Sequence, residues 1–411
     1  MHRAHSALAL FRSPCNRIGA PSVRSFSASA LARTAVSADE RDIERIMRWA
    51  KNKQDAGPVR YEQFIGPEPA SLFGNASAIK EGDLVRTFKE VGDGSLSTTG
   101  ADRGSRRGAA SKPKRREALT EAITQSGDPL LPYYHFFYFL RPTPEYALGS
   151  DGHPADIKPP SFSERMFANA TLKFNTDNPL RAGDRGWMED SIGPEISVKQ
   201  GGQRGPLVFV QELKRVGNDR GLCLEEIRNV VYFKPKAVVE KERAEAEAAS
   251  GGVKADTTEK PKKDAAAGKK KTDPNAITKD TPFDFEKVVV PSRTLLFRYS
   301  ALVYFTHRIH YDHPYTTKVE GYPDLVVHGP LVSSLLLSLL DHNLPSPSPA
   351  ARLSNSPLLG LEEYSFRLNS PYFVDREIRL RGRKVDAGKY DVWGVDNEGK
   401  VGITGKAVVK E

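Results

Sequence analysis

The chain has 411 residues, a net charge of +9 and 38% hydrophobic residues, a length that suits two or three domains rather than one. It contains no run of about 18 apolar residues, so no membrane-spanning helix is expected. The positive charge does not indicate a nucleic-acid partner. Residues 1–37 hold five arginines and no acid, and outside them 56 basic residues face 52 acidic ones.

The arginine-, serine- and alanine-rich start, with Val23-Arg24-Ser25-Phe26-Ser27-Ala28 inside it, has the composition of a mitochondrial transit peptide. Residues 1–37 are therefore expected to be an address to the mitochondrial matrix. Of the two cysteines, Cys15 lies in this segment and Cys223 sits between two leucines. No intrachain disulfide and no zinc site is expected from them.

Past the address, Asp39–Lys51 reads as a short charged helix with Ile43, Ile46 and Met47 on one side. Residues 57–95 are mixed, and Gly92–Ser111 reads as a loop. The basic run Arg103–Arg116 reads as solvated surface. The aromatic cluster Tyr133–Phe139 follows, then a loop punctuated by Gly, Pro and Asp over 142–162. Ala170–Phe174, Pro206–Lys214 and Ile227–Phe233 are strand candidates, the last two joined by the turn residues Gly217–Gly221.

Residues 236–282 are rich in Lys, Glu, Ala and Asp and nearly free of large apolar side chains. Such a segment cannot offset its ordering entropy, so a disordered charged linker is expected, with Val238–Ala249 a transient helix. Globular composition resumes at 283. Gly329–Leu340 reads as one long apolar helix with Pro330 in its first turn. Four strand-like runs follow at Glu363–Leu368, Glu377–Arg383, Lys389–Val395 and Val401–Val409. A buried helix followed by an antiparallel meander is a helix wrapped by a curved sheet. With a weaker version of the same layout in the first half, two α+β units facing one another are expected, over 38–235 and 283–411.

Chemistry concentrates in His307-Arg308-Ile309-His310-Tyr311-Asp312. A histidine can act as a general base near neutral pH. Two histidines three apart also fit a loop hydrogen-bond pair, and no HExxH or third-ligand spacing argues for a metal.

With Ser300-Ala301-Leu302, Glu320-Gly321-Tyr322-Pro323 and Val326-Val327-His328-Gly329-Pro330-Leu331, this segment resembles the hydratase-2 segment of the MaoC-like hot-dog superfamily. It is most similar to the type 2 mitochondrial 3-hydroxyacyl-thioester dehydratases and to the mesaconyl-CoA hydratases. In the first half, Asp128–Pro132, His135, Leu148-Gly149, Asp151-Gly152-His153-Pro154, Arg165-Met166 and Gly205–Val210 resemble the N-terminal hot-dog unit of the same proteins.

The resemblance implies a double hot-dog fold with one active site per chain, in the second unit, and a degenerate first unit that lends a wall to the acyl tunnel. It implies catalytic roles for His310 and His307, and a backbone N–H near Gly329 that stabilises charge on the thioester oxygen. Arg308, Asp312 and His328 are the implied substrate contacts. No cofactor and no metal is implied. The implied substrate is a thioester of acyl carrier protein or of CoA, and the implied assembly a monomer or homodimer. The implied reaction interconverts (3R)-hydroxyacyl and trans-2-enoyl thioesters in mitochondrial fatty-acid synthesis. Hydration of short-chain CoA thioesters and thioester binding without turnover are the alternatives. One position departs from the pattern. The (R)-specific hydratases place an Asp five residues before the active-site histidine, and the dehydratase branch an Asn; here that position is Phe305, which neither transfers a proton nor holds water, and His307, Asp312 and Thr306 are the candidates for the missing polar group.

Overall fold

Strands with a buried face need a partner surface, and among the described residues ten of them find it in one another. In a computed structural model, which describes residues 40–69, 126–199, 205–249, 276–345 and 356–410, they form a single antiparallel sheet. The first half supplies β1 (Val59–Phe64), β2 (Glu164–Phe174), β3 (Arg185–Lys199), β4 (Leu207–Asn218) and β5 (Gly221–Phe233). The second supplies β6 (Phe285–Val289), β7 (Leu361–Leu368), β8 (Ile378–Asp386), β9 (Lys389–Asp396) and β10 (Val401–Val409). Their order is β1-β3-β4-β5-β2-β7-β10-β9-β8-β6. The halves meet at β2 and β7, in register from Asn169 opposite Arg367 to Lys173 opposite Glu363. The expected pair of facing units is thus a pair of sheets fused edge to edge.

Among the described residues four helices complete the frame: α1 (Glu40–Asp55), α2 (Lys236–Ala249), α3 (Arg293–Leu302) and α4 (Gly329–Asn343). Helix α4 is the apolar helix expected after Pro330, and it packs against β8, β9 and β10. Leu331, Val332, Leu336, Leu337 and Leu340 are fully buried along it, each worth about 2 kcal/mol in removed apolar surface. The same core takes in Tyr134 and Phe137 of a 3-10 turn in the first half, so one core spans both halves. A smaller cluster of Ile46, Phe162, Val208, Val210, Val230 and Tyr232 lies around α1.

The expected linker 236–282 is helical at its start. Lys234 bridges Asp42 at 2.9 Å and Glu242 at 2.7 Å, tying α2 to α1, and Val239 is buried beneath it. Spaced Lys–Glu pairs (Lys236–Glu240, Lys241–Glu245) support the helix along its length. Residues 250–275, the expected transit peptide and the basic run 103–116 lie outside the described residues.

Candidate active site

The segment that carries the chemistry begins where α3 ends. Ser292 caps α3 by accepting a hydrogen bond from the Leu295 N–H at 3.2 Å, and the helix stops at Val303. Tyr304 then adopts a left-handed backbone, φ 48°, and the chain turns sharply into Phe305–His307. A 3-10 turn over Arg308–His310 follows. His310 is buried, and its Nδ1 lies 2.7 Å from the Val326 carbonyl oxygen, which as an acceptor fixes the proton on Nδ1. The Nε2 lone pair is thereby left for chemistry. Burial pushes the His310 pKa down to about 4, so the ring is a neutral base at physiological pH.

His328 stacks flat on His310, ring centroids 3.7 Å apart and planes 17° from parallel. It is also the residue before α4, and no side chain caps that helix. Pro330 has no N–H, which leaves the Gly329 and Leu331 amides as the open donors of the first turn. A Cβ on Gly329 would meet the Leu368 side chain at 2.4 Å, so the helix start is held close to β7. His328 shares a 2.8 Å hydrogen bond with Ser300 through Nε2, while its Nδ1 is buried without a partner. His310 and the positive N-terminus of α4 are therefore one stacked ring apart.

The N-terminal half reaches into this site. Asp151, Gly152 and His153 are buried against the segment 305–308. The Thr306 hydroxyl donates to the Gly152 carbonyl at 2.6 Å, and the Arg308 N–H to the Asp151 carbonyl at 2.9 Å. Arg308 also donates from Nη1 to the Ser150 carbonyl at 3.0 Å, and from Nε and Nη2 to Asp312 Oδ2 at 3.0 and 2.7 Å. Arg308 and Asp312, expected at the substrate, thus form a brace between the halves.

His153 holds its Nδ1 3.0 Å from Asp151 Oδ2, and Lys158 bonds the other carboxylate oxygen. Burial pushes Asp151 up, but the bonds from His153 and Lys158 outweigh it and hold the carboxyl at about 2. Burial drives His153 down to about 3 against the pull of Asp151. His307 lies with its ring centroid 4.2 Å from that of His153. Burial lowers its pKa well below the ordinary histidine value, with His153 and His310 adding to the shift, and burial does the same for His328.

Phe305 is the hub of these four rings. Its centroid is 4.9 Å from His153, 5.7 Å from His310, and 6.2 Å from both His307 and His328. Close by, Glu164 at the start of β2 is pushed up to about 8 by burial and by the Glu320 carboxylate, while the Tyr315 hydroxyl donates to Glu320 at 2.7 Å.

Of the residues expected at the site, His307, His310, His328 and the Gly329 amide come together. His153, Asp151, Glu164 and Glu320 were not singled out as site residues. For the first two a signal exists in the sequence: an Asp two residues before a His, in a Gly–Pro-flanked loop, has the reach for a carboxylate–imidazole bond.

The family model described as hydroxyacyl-thioester dehydratase type 2 matches residues 133–266 and 255–371, more than half of the chain. The chain belongs to that family. It is 35% identical over 259 residues to a mesaconyl-C(4)-CoA hydratase of Chloroflexus aurantiacus, covering 62% of this chain and 75% of the relative. It is 25% identical over 277 residues to the mitochondrial type 2 hydroxyacyl-thioester dehydratase of Schizosaccharomyces pombe, covering 61% and 77%. A MaoC-like dehydratase from Phytophthora capsici shares the fold with a TM-score of 0.51 at 13% identity, over 90% of this chain and 99% of that one. The hot-dog architecture expected for a member of the dehydratase family is the one observed.

Proposed function

We propose that the protein is a hydro-lyase that adds water to, or removes it from, the Cα–Cβ bond of an acyl thioester, with His310 as its base. The observation that carries this reading is the orientation of His310: Nδ1 is committed to the Val326 carbonyl, and the free Nε2 belongs to a ring stacked beside the N-terminus of α4. In elimination, Nε2 takes the α-proton and charge builds on the thioester oxygen, where the Gly329 and Leu331 amides and the helix dipole oppose it. The Cβ–O bond then breaks, and the imidazolium returns its proton to the leaving hydroxyl as water. Hydration runs the same steps in reverse.

The substrate we propose is a (3R)-hydroxyacyl or trans-2-enoyl thioester on acyl carrier protein, within mitochondrial fatty-acid synthesis. The mitochondrial relative and the arginine-rich first 37 residues support it. A short-chain CoA thioester is the second reading, favoured by the higher identity to the mesaconyl-C(4)-CoA hydratase.

Hydration assays on matched enoyl thioesters of acyl carrier protein and of CoA, mesaconyl-C(4)-CoA among them, separate the two. Turnover is expected, and His310→Ala should lower it by about 100-fold or more. Tight thioester binding with no turnover on any carrier would overturn the enzymatic reading.

A further inference from the structure

His153 is the histidine of the cluster that belongs to the other half of the chain, and its hydrogen bonding is one-sided. Nδ1 is satisfied by Asp151, whereas Nε2, on the far edge of the ring from Nδ1, is buried with no partner. A histidine kept only for structure would normally pair both nitrogens, because an unmet buried polar atom costs about 1–3 kcal/mol. The ring is held where it is by three hydrogen bonds between its loop and the segment leading into His310. That ring contacts Phe305 and His307, the two residues between α3 and His310 whose rings face the site. Phe305 offers no hydrogen bond to an oxygen atom beside His310.

We propose that His153, oriented by Asp151, is the group that holds the reacting oxygen, accepting at Nε2 a hydrogen bond from the attacking water or the substrate's β-hydroxyl. The assignment rests on the hydro-lyase reading of the site. His153 takes no proton in it. In hydration, one O–H of the water donates to His153 and the other passes its proton to His310 Nε2. The oxygen bonds to Cβ, and the imidazolium of His310 protonates Cα. In elimination, His153 accepts from the β-hydroxyl while His310 removes the α-proton and returns it to the departing oxygen. The depressed basicity of His153 suits this role, since an acceptor must keep its lone pair.

Asp151, His153 and His307 also have donor atoms within 4.8 Å of one another, as a metal site would. Lys158 bonded to Asp151 already balances that carboxylate, which disfavours a cation there.

Three variants of the full-length protein decide the matter, with enoyl-thioester hydration as the readout. His153→Gln keeps an acceptor near the Nε2 position. His153→Asn reaches only as far as the Asp151 contact, and His153→Leu keeps neither. Loss of one hydrogen bond to the reacting oxygen predicts a fall of about 10- to 30-fold in kcat for His153→Asn and His153→Leu, with KM nearly unchanged. His153→Gln should recover most of the rate, and the melting temperature of His153→Asn should stay near that of wild type. Full activity in His153→Asn, or a His153→Gln as slow as His153→Asn, would overturn the assignment. So would one equivalent of a divalent metal in the wild type that is lost in His153→Asn. A wild type that hydrates no enoyl thioester would instead overturn the hydro-lyase reading itself.

Discussion

Gly152 of the N-terminal half stands so close to Thr306 of the C-terminal half that a Cβ on Gly152 would lie 1.9 Å from the Thr306 carbonyl oxygen. Its φ of +87° is also one that side chains rarely adopt. Glycine is therefore required twice over, once by conformation and once by contact. Gly152→Ala should cost more than about 2 kcal/mol, since the loop must shift to relieve both. Because that loop carries His153 and receives bonds from Thr306 and Arg308, the variant should also lose hydration activity. Denaturant melts and a hydration assay on the same preparation check both outcomes; unchanged stability would mean that the two segments are not clamped together.

The four histidines make stability depend on pH in a definite direction. Burial depresses His310 to about 4 and His153 to about 3, and lowers His307 and His328 well below their ordinary value. Below a pH of about 6.5 the unfolded chain takes up protons that the folded chain does not, so stability falls as pH drops from there toward 4. The slope is at most about 1.4 kcal/mol per pH unit for each histidine. Asp151, and Glu226 of β5, where the upward push of burial is outweighed by Arg228 bonding both carboxylate oxygens, are both held at about 2 and extend the loss below the usual carboxylate range. Glu164, pushed up to about 8, acts the other way, weakening the fold as pH rises through its window. One carboxyl against four histidines leaves a net gain from pH 5 to pH 7. Urea melts across that range test it, and equal or greater stability at pH 5 would show that the rings are charged in the fold. The acid limb of kcat/KM should likewise fall near 4 rather than near 6.5.

Phe305 and His153 should be coupled in a double-mutant cycle. Asn at position 305 supplies a polar group beside His310, where the aromatic ring supplies none. With His153 in place, Phe305→Asn is expected to change kcat by less than about threefold. In the His153→Leu background the same substitution should restore roughly tenfold, a coupling of about 1.4 kcal/mol. Strictly additive effects would separate the two positions.

The first 40 residues should direct a fused fluorescent protein to mitochondria, and replacing Arg3, Arg12, Arg17, Arg24 and Arg33 by Gln should abolish that localisation. Diffuse fluorescence from the unaltered fusion would remove the targeting role.

Much of the second half was legible from residue order alone. The runs expected at Glu363–Leu368, Glu377–Arg383, Lys389–Val395 and Val401–Val409 are β7 to β10 within a few residues, because each is a short run holding β-branched or aromatic residues between clear turns, alternating in β7 and β8 and buried along most of its length in β9. Helix α4 was legible from its leucines and Pro330. β3 was not, although it spans fifteen residues. It carries Gly193 and Pro194 at an irregularity in its pairing, and its acids face basic partners across the sheet, as in Asp190–Lys214 and Glu189–Arg215, so its pattern looks polar. His307, His310 and His328 could be named from the resemblance. His153 could not be placed beside them, since about 150 residues of sequence separate it from contacts that only the folded chain creates. The same holds for Glu164 and Glu320.

The pairing of β2 with β7 has a mechanical consequence. Five residue pairs across that seam make the two halves a continuous pleated surface, stiff along its hydrogen-bonding direction. A swing of one half away from the other would strip those backbone bonds and pull His153 off its neighbours. The seam therefore keeps His153, carried by the first half, in place against Phe305 and His307, carried by the second.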